Sequence, residues 1–349
     1  MEGNLIKINE WLLPLSWLYG VGSDLRNLLF NAGILSSKTY SIPVISVGNI
    51  TVGGTGKTPH TEYIASILKE RIHTAVLSRG YGRKTKGFIM ADAHSDSTLI
   101  GDEPLQIKLR FPDLDVAVCE DRVIGISRLS EICNPQAVIL DDAFQHRRVT
   151  PSLNILLVNC HRNILNDTML PAGRLRESAA GRNRADIIIV TKCPRDISNA
   201  SMDSLASGLA VRPQQQVFFT TLEYGSIYPL CGNASMPAQE SPVLAVTGIS
   251  DPTPMVEELK RGRKRVDLLS YPDHHDFTKR DIAEIQRRLQ GMPDGSIIIT
   301  TAKDAARLSG MELDDELKEK IFVLPVKPAF LRDADLFNST VINHIESFK

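Results

Sequence analysis

Short apolar runs recur after residue 40, separated by polar and glycine-punctuated stretches, at 42–47, 74–77, 115–118, 137–140, 154–158 and 186–190. Their hydrophobicity is continuous rather than alternating, as strands covered on both faces require, and the intervals between them can hold crossover helices. The pattern predicts an α/β fold, a doubly wound and mostly parallel sheet in a domain over 41–213. Residues 216–224 and 226–230 read as two extended arms around Gly225, a β-ribbon linker over 214–231. A second series of strands at 242–247, 265–270, 296–301 and 321–326 predicts a smaller C-terminal α/β domain over 232–349, which opens with a loop rich in small residues and proline.

Residues 1–40 have a different texture. Trp11 and Trp17 are both tryptophans of the chain, and Leu25, Leu28, Leu29 and Phe30 follow at helical spacing with Asp24, Arg26 and Asn27 between them. Two amphipathic helical pieces are expected, broken near Pro14 and the Gly20-Val21-Gly22 stretch. Taken alone they read as a helix pair packed on the core, although tryptophan and tyrosine also favour the headgroup level of a bilayer.

Composition narrows the function classes. With 40 basic and 41 acidic residues the formal net charge is -1, which removes any global electrostatic case for nucleic acid. The five cysteines are widely spaced with no C-x-x-C, so neither a disulfide framework nor a zinc knuckle is suggested. No run approaches the roughly 18 apolar residues of a spanning helix, and the start lacks the basic n-region of a secretory signal peptide.

The chemistry begins at residues 47–60. A buried strand feeds the glycine-rich turn Thr51-Val52-Gly53-Gly54-Thr55-Gly56-Lys57-Thr58, which runs into a helix carrying Ile64, Ile67 and Leu68 on one face. In a P-loop, glycines turn backbone N–H groups onto phosphates, the lysine reaches the β and γ oxygens, and the last hydroxyl ligates magnesium. Thr51 stands where the first glycine of G-x-x-x-x-G-K-[ST] belongs; threonine resists positive φ, so the chain must approach the loop by another backbone path. A carboxylate for the metal is expected at the end of a neighbouring strand, and Asp141-Asp142 after the run at 137–140 fits. The segment Thr191-Lys192-Cys193-Pro194-Arg195-Asp196 resembles a guanine-reading T-K-x-D, but Asp196 comes two residues late and Pro194 stiffens the turn. ATP is therefore favoured over GTP; a GTPase acting as a switch or metal-insertion chaperone is the alternative.

A P-loop identifies a nucleotide and leaves the reaction open. Reading outward, the chain carries in order Leu77-Ser78-Arg79-Gly80-Tyr81-Gly82-Arg83-Lys84, Gly101-Asp102-Glu103-Pro104, Asp141-Asp142-Ala143-Phe144-Gln145-His146-Arg147-Arg148, Leu170-Pro171-Ala172-Gly173-Arg174-Leu175-Arg176-Glu177, and Tyr271-Pro272-Asp273-His274-His275-Asp276-Phe277. Together these resemble the tetraacyldisaccharide 4'-kinase family of lipid A biosynthesis, from about Trp11 to the C-terminal strand. The family's loop has the same non-glycine residue at the position of Thr51. Ala143, where glycine is usual, and Ala302, where glutamate is more frequent, are departures.

The resemblance implies transfer of the ATP γ-phosphate, with Mg2+, to the 4'-hydroxyl of a tetraacylated glucosamine disaccharide 1-phosphate, giving lipid IVA. It makes Asp102 the catalytic base, in a Gly-Asp-Glu-Pro loop where Pro104 argues for extended backbone, and pairs it with His274, the adjacent His275 being the other choice. A carboxylate bonded to an imidazole can accept or relay the sugar proton. Asp273-His274-His275 also resembles the DHH motif of manganese phosphoesterases, but the further aspartates those enzymes need are missing. Asp142 is expected at the γ-phosphate, and Thr58, Asp141 and, by resemblance, Glu177 around the metal. Arg122, Gln145 and His146 are assigned to the same crevice, and Ser78, Arg79, Tyr81, Arg83 and Lys84 form a basic loop suited to the substrate's 1-phosphate. An acceptor with four acyl chains does not diffuse freely in water, so the N-terminal segment becomes an interfacial anchor, placing the protein peripherally on the cytoplasmic face of the inner membrane. No nucleic acid and no obligate protein partner are implied.

Overall fold

The computed structural model of the protein describes residues 8–231, 235–273 and 275–348. The chain start at 1–7, part of the loop opening the second series at 232–234, and His274 lie outside the described residues.

Among the described residues the strands are β1 (Val44–Gly48), β2 (Thr74–Ser78), β3 (Ile89–Met90), β4 (Asp115–Val118), β5 (Ala137–Asp141), β6 (Leu153–Asn159), β7 (Ile187–Thr191), β8 (Gln216–Tyr224), β9 (Tyr228–Pro229), β10 (Val243–Thr247), β11 (Val266–Ser270), β12 (Ile297–Thr301), β13 (Ile321–Leu324) and β14 (Val326–Phe330). They form two sheets, ordered β14-β8-β7-β6-β1-β5-β2-β4-β3 and β11-β10-β12-β13-β9. Pairing is parallel except at β14 with β8, β3 with β4 and β9 with β13. Each apolar run of the first series is a strand of the large sheet. Ile45, Val47, Val76, Ile139, Ile155 and Ile189 are inaccessible to solvent, because helices cover both faces.

The first arm of the expected ribbon pairs with a different second arm from the one expected. Gln216–Tyr224 continues the large sheet, parallel to β7, and its antiparallel partner is Val326–Phe330 rather than residues 226–230. The arm after Gly225 supplies only β9, which pairs with β13 in the small sheet. Phe218 and Phe219 explain the difference: both are buried in the cores of the large unit, a burial that a free-standing hairpin cannot offer. The helix Ala334–Glu346 follows β14 back, with Phe337 and Val341 fully buried in the large unit's core. The chain after Leu324 thus packs with the large unit.

The N-terminal segment forms one helix, Leu13–Asn31, after a single 3-10 turn at Glu10–Leu12. The break expected near Pro14 does not occur, because proline in the first turn forfeits no intrahelical bond. Gly20 and Gly22 lie inside the helix, where each costs only about 1 kcal/mol relative to alanine.

The same rule corrects the environment of Asp102. Residues 102–110 form a helix, Asp102–Arg110, with Pro104 in its first turn, so Asp102 sits at a helix N-terminus rather than in an extended loop.

Candidate active site

Strand β1 lies between β6 and β5, and its register with β5 places Val47 beside Asp141. The glycine-rich turn and the aspartate pair therefore leave the sheet side by side, at the carboxyl ends of adjacent strands. The approach past Thr51 is extended: Thr51 bridges Leu175 antiparallel, the Val52 N–H donates to the Arg174 carbonyl at 2.8 Å, and the Arg176 N–H donates to the Ile50 carbonyl at 2.8 Å. A threonine suits that backbone, and the positive φ the loop needs is carried by Gly53 (101°) and Gly56 (82°). Gly56 is the N-cap of the helix Lys57–Leu68 and offers no side chain to its first N–H groups. Those amides remain for an anion at the positive end of the helix dipole.

The pairing with residues 174–176 brings a third chain segment to the loop. Lys57 Nζ lies 3.7 Å from Asp142 Oδ1, and Arg176 Nη1 lies 3.1 Å from both oxygens of the same carboxylate. Asp142 adopts a left-handed backbone (φ 46°), strain of the kind that persists at functional sites. Asp141 is wholly buried, accepting from the Thr61 hydroxyl at 2.8 Å, and burial, then Glu103 and Asp142, push its carboxyl up to about 7. Thr61 lies one helical turn beyond Thr58, so hydroxyl and carboxylate oxygens converge beside Lys57.

A cavity of about 750 Å³ opens against this cluster. Asp142, Glu103, Ser78, Arg79, Tyr81, Arg122, Gln145, His146 and Arg176 line it, and Tyr19, Gly22, Ser23 and Arg26 of the N-terminal helix close one side. Arg79, Gln145 and His146 thus share one cavity wall. Arg122 also reaches the cavity but is 2% exposed: its guanidinium donates to the carbonyls of Cys119 at 2.8 Å and Asp141 at 3.2 Å, and burial brings it down to about 10. It braces the ends of β4 and β5 while reaching the cavity wall. Arg83, expected at the substrate phosphate, is turned instead onto Glu120 at 2.6 Å.

Glu177 differs most from its expected role as a metal ligand. Its carboxylate is fully enclosed and accepts from Arg184 at 2.8 Å, Gln145 at 2.8 Å and Asn27 at 3.4 Å. With its charge neutralised by Arg184 and its lone pairs occupied, it joins the N-terminal helix, the Gln145 loop and the 3-10 turn Ala179–Arg184. Replacing Arg184 by alanine leaves a buried carboxylate without its cation. A stability loss toward the lower end of roughly 3–5 kcal/mol is expected, since Arg184 keeps some solvent contact. Denaturant unfolding reads it directly; an unchanged midpoint removes Glu177 from this bracing role.

Asp102 meets the small unit. Its Oδ2 accepts from Arg307 Nη2 at 2.6 Å and Nε at 2.9 Å, across the contact between the helices Asp102–Arg110 and Ala302–Leu308. Arg307 is fixed in turn by Asp304 at 2.9 Å. Asp304 is wholly buried and also accepts from the hydroxyls of Thr301 and Thr247 and from the Gly248 N–H. His275 is engaged elsewhere: its ring stacks on Tyr271 at 4.6 Å and lies 3.0 Å from Asp281, the capping-box residue of the helix Lys279–Gln290.

Residues 8–346 match the family described as tetraacyldisaccharide-1-P 4'-kinase. The chain belongs to that family. It is 50% identical to the tetraacyldisaccharide 4'-kinase of Phocaeicola vulgatus, over 99% of this chain and 97% of that protein. It is 40% identical to the one from Flavobacterium johnsoniae, over 97% and 98%. The crystal structure of LpxK from Aquifex aeolicus in complex with ATP is similar at a TM-score of 0.76 and 31% identity, covering 96% of this chain and 98% of that one.

Against that kinase family the structure adds residues that sequence reasoning passed over. Arg307 and Asp304 carried no motif beyond the short Lys303-Asp304 likeness, and their partners are distant in the chain. Lys192 was visible only inside a poor guanine motif, whose Asp196 is solvent-exposed.

Proposed function

We propose that this chain transfers the γ-phosphate of ATP to the 4'-hydroxyl of a tetraacyldisaccharide 1-phosphate, the step that yields lipid IVA in lipid A biosynthesis. The observation that carries the reading is the cavity shared by the P-loop cluster and the N-terminal helix, in a chain that matches the family from end to end.

In this reading the loop amides from Gly53 to Lys57 hold the phosphates, and Lys57 reaches the γ-phosphoryl. Asp142, set between Lys57 and Arg176, keeps both cations oriented until the nucleotide arrives. Asp102 takes the proton from the 4'-hydroxyl as the oxygen attacks. Its pairing with His274 stays part of the proposal, and the contacts of His275 with Tyr271 and Asp281 support that choice over His275. Positioning and charge neutralisation supply most of the rate in such transfers. The donor set suits a hard cation: the Thr58 hydroxyl and the carboxylates of Asp141 and Asp142 are all oxygen ligands, and Glu177 is left out because its oxygens are committed. Magnesium bound there would neutralise charge on the β and γ oxygens. Arg79, beside Tyr81 on the cavity wall, is assigned to the acceptor's phosphate.

Membrane contact belongs to the same proposal. Trp11 is 93% and Trp17 68% exposed, and Leu15, Leu18, Leu25 and Leu28 are exposed with them. The polar side of the helix faces the protein, through Tyr19 to the Arg176 carbonyl, Arg26 to the Gln145 carbonyl and Ser16 to the Ala172 N–H. A helix that turns its large apolar side chains outward does not belong to the core, and it suits an interfacial position. Among the described residues no helix is long and apolar enough to cross a membrane. The proposed location is peripheral, on the cytoplasmic face of the inner membrane, with the lipid disaccharide as the only partner required.

The test is incubation with γ-labelled ATP, magnesium and the disaccharide 1-phosphate. A labelled lipid is expected, with excess GTP failing to compete. No labelled lipid from folded, ATP-binding protein ends this reading, and preferential GTP binding revives the switch alternative.

A further inference from the structure

Three cations gather at the P-loop from segments outside the acceptor cavity. A Cβ placed on Gly53 would sit 3.8 Å from Arg174 Nη1 and 3.9 Å from Arg162 Nη1, and one placed on Gly54 would sit 3.6 Å from Lys192 Nζ. Both glycines therefore leave the backbone open toward positive charge. Arg162 follows the end of β6 and Lys192 the end of β7, which lie on the other side of β1 from β5 and β2. None of the three lines the acceptor cavity.

The cluster costs electrostatic energy as it stands. Among the described residues no carboxylate lies within ion-pair distance of Arg162, Arg174 or Lys192. Asp167 acts on Arg162 and Asp251 on Lys192 as opposing charges from beyond that distance. Asp167 Oδ1 is already held by the backbone N–H groups of Thr168 and Arg174. Burial lowers the guanidinium of Arg162, and the neighbouring Arg174 lowers it further; the Lys192 ammonium is likewise lowered by burial.

The backbone that carries two of the cations is fixed beside the loop. The Arg174 carbonyl is bonded to the Val52 N–H of the loop itself. Lys192 adopts a left-handed backbone (φ 58°), unusual for a long side chain, and its carbonyl accepts from the Cys160 thiol at 3.0 Å. Like charges gathered at a phosphate loop with no carboxylate in ion-pair contact mark an anion site, and guanidinium forks match phosphate oxygens.

We propose that Arg162, Arg174 and Lys192 form a clamp on the nucleotide polyphosphate, on the leaving-group flank of the loop. This rests on the kinase reading above and extends it. Lys57 and Asp142 stand on the acceptor side of the γ-phosphoryl, and the three cations stand on the side where ADP departs. As the bond between the γ-phosphorus and the bridging oxygen breaks, the electron pair stays on that oxygen and the β-phosphate gains charge, which the clamp neutralises.

The experiment uses the full chain and a fluorescent ADP, without acceptor. Arg162→Ala, Arg174→Ala and Lys192→Ala are each expected to weaken ADP binding by about tenfold or more, the scale of a lost charge-assisted hydrogen bond. Lys192→Arg is expected to keep most of the affinity, because the charge remains, and Arg174→Lys to keep part of it, because the charge remains while the fork is lost. Steady-state assays should show the KM for ATP rising while the KM for the acceptor is unchanged. Unaltered ADP affinity in all three alanine variants overturns the proposal. So does equal loss in the charge-conserving variants, which would make the side chains packing elements, or a rise in acceptor KM alone, which would assign the site to the acceptor's phosphate. If wild-type protein binds ADP but labels no lipid, the kinase reading fails while the clamp stands on its own result.

Discussion

Replacing Asp102 by asparagine is expected to lower turnover by about 10² to 10⁴, the usual worth of a general base, while ATP affinity stays unchanged. The substitution keeps the size of the side chain and an oxygen that can still accept from Arg307, so the contact between the two units is retained. It removes the ability to take a proton. Arg307 does not become an orphan, because Asp304 still holds its other edge. The helix Asp102–Arg110 also keeps Glu103 in its first turn to meet the dipole. A loss confined to kcat, with ATP titration and unfolding midpoint as in wild type, identifies a chemical role. Near-normal turnover takes Asp102 out of the reaction, and a parallel fall in stability makes it a strut between the units.

The second large effect is expected at the outer face of the N-terminal helix. Serine at Trp11, Leu15, Leu18 and Leu25 together removes four exposed apolar groups. Each contributes about 1 kcal/mol if it is partly immersed in the headgroup region, so vesicle partitioning falls by about 10³. Folding stability is expected to hold, since these side chains bury little in the folded chain. Activity should collapse on acceptor presented in bilayers and recover on acceptor dispersed in detergent, because the polar contacts that form the cavity wall are untouched. Unchanged sedimentation with vesicles returns the helix to a role within the protein alone.

Much of this architecture was legible in the residues, for reasons that can be named. Parallel strands covered on both sides must be apolar throughout, so β1, β2, β4, β5, β6 and β7 announced themselves. The glycines and Lys57-Thr58 announced the phosphate loop. Errors arose where a local rule met a position that relaxed it. Pro14 and Pro104 were read as helix breakers, yet both fall in first turns where no bond is lost. The second arm of the ribbon was sought next to the first, whereas Val326–Phe330 returns from about a hundred residues away. The resemblance implies Glu177 as a metal ligand, and the residues alone give no sign that Arg184, from the short turn that follows, holds its carboxylate. Arg162 and Arg307 carried no readable signal, and Lys192 only a poor guanine motif, because their meaning depends on which segments the fold sets beside them.

The bond from Arg307 to Asp102 has a bearing on waste. Asp102, the base in the proposed mechanism, is steadied by an arginine from the other half of the protein, some two hundred residues along the chain. The phosphate loop is built entirely in the large half, so parting the halves would release Asp102 from Arg307 and leave the loop whole. In the proposed mechanism, protein loaded with ATP in that parted form lacks its positioned base, and little nucleotide would be spent on water.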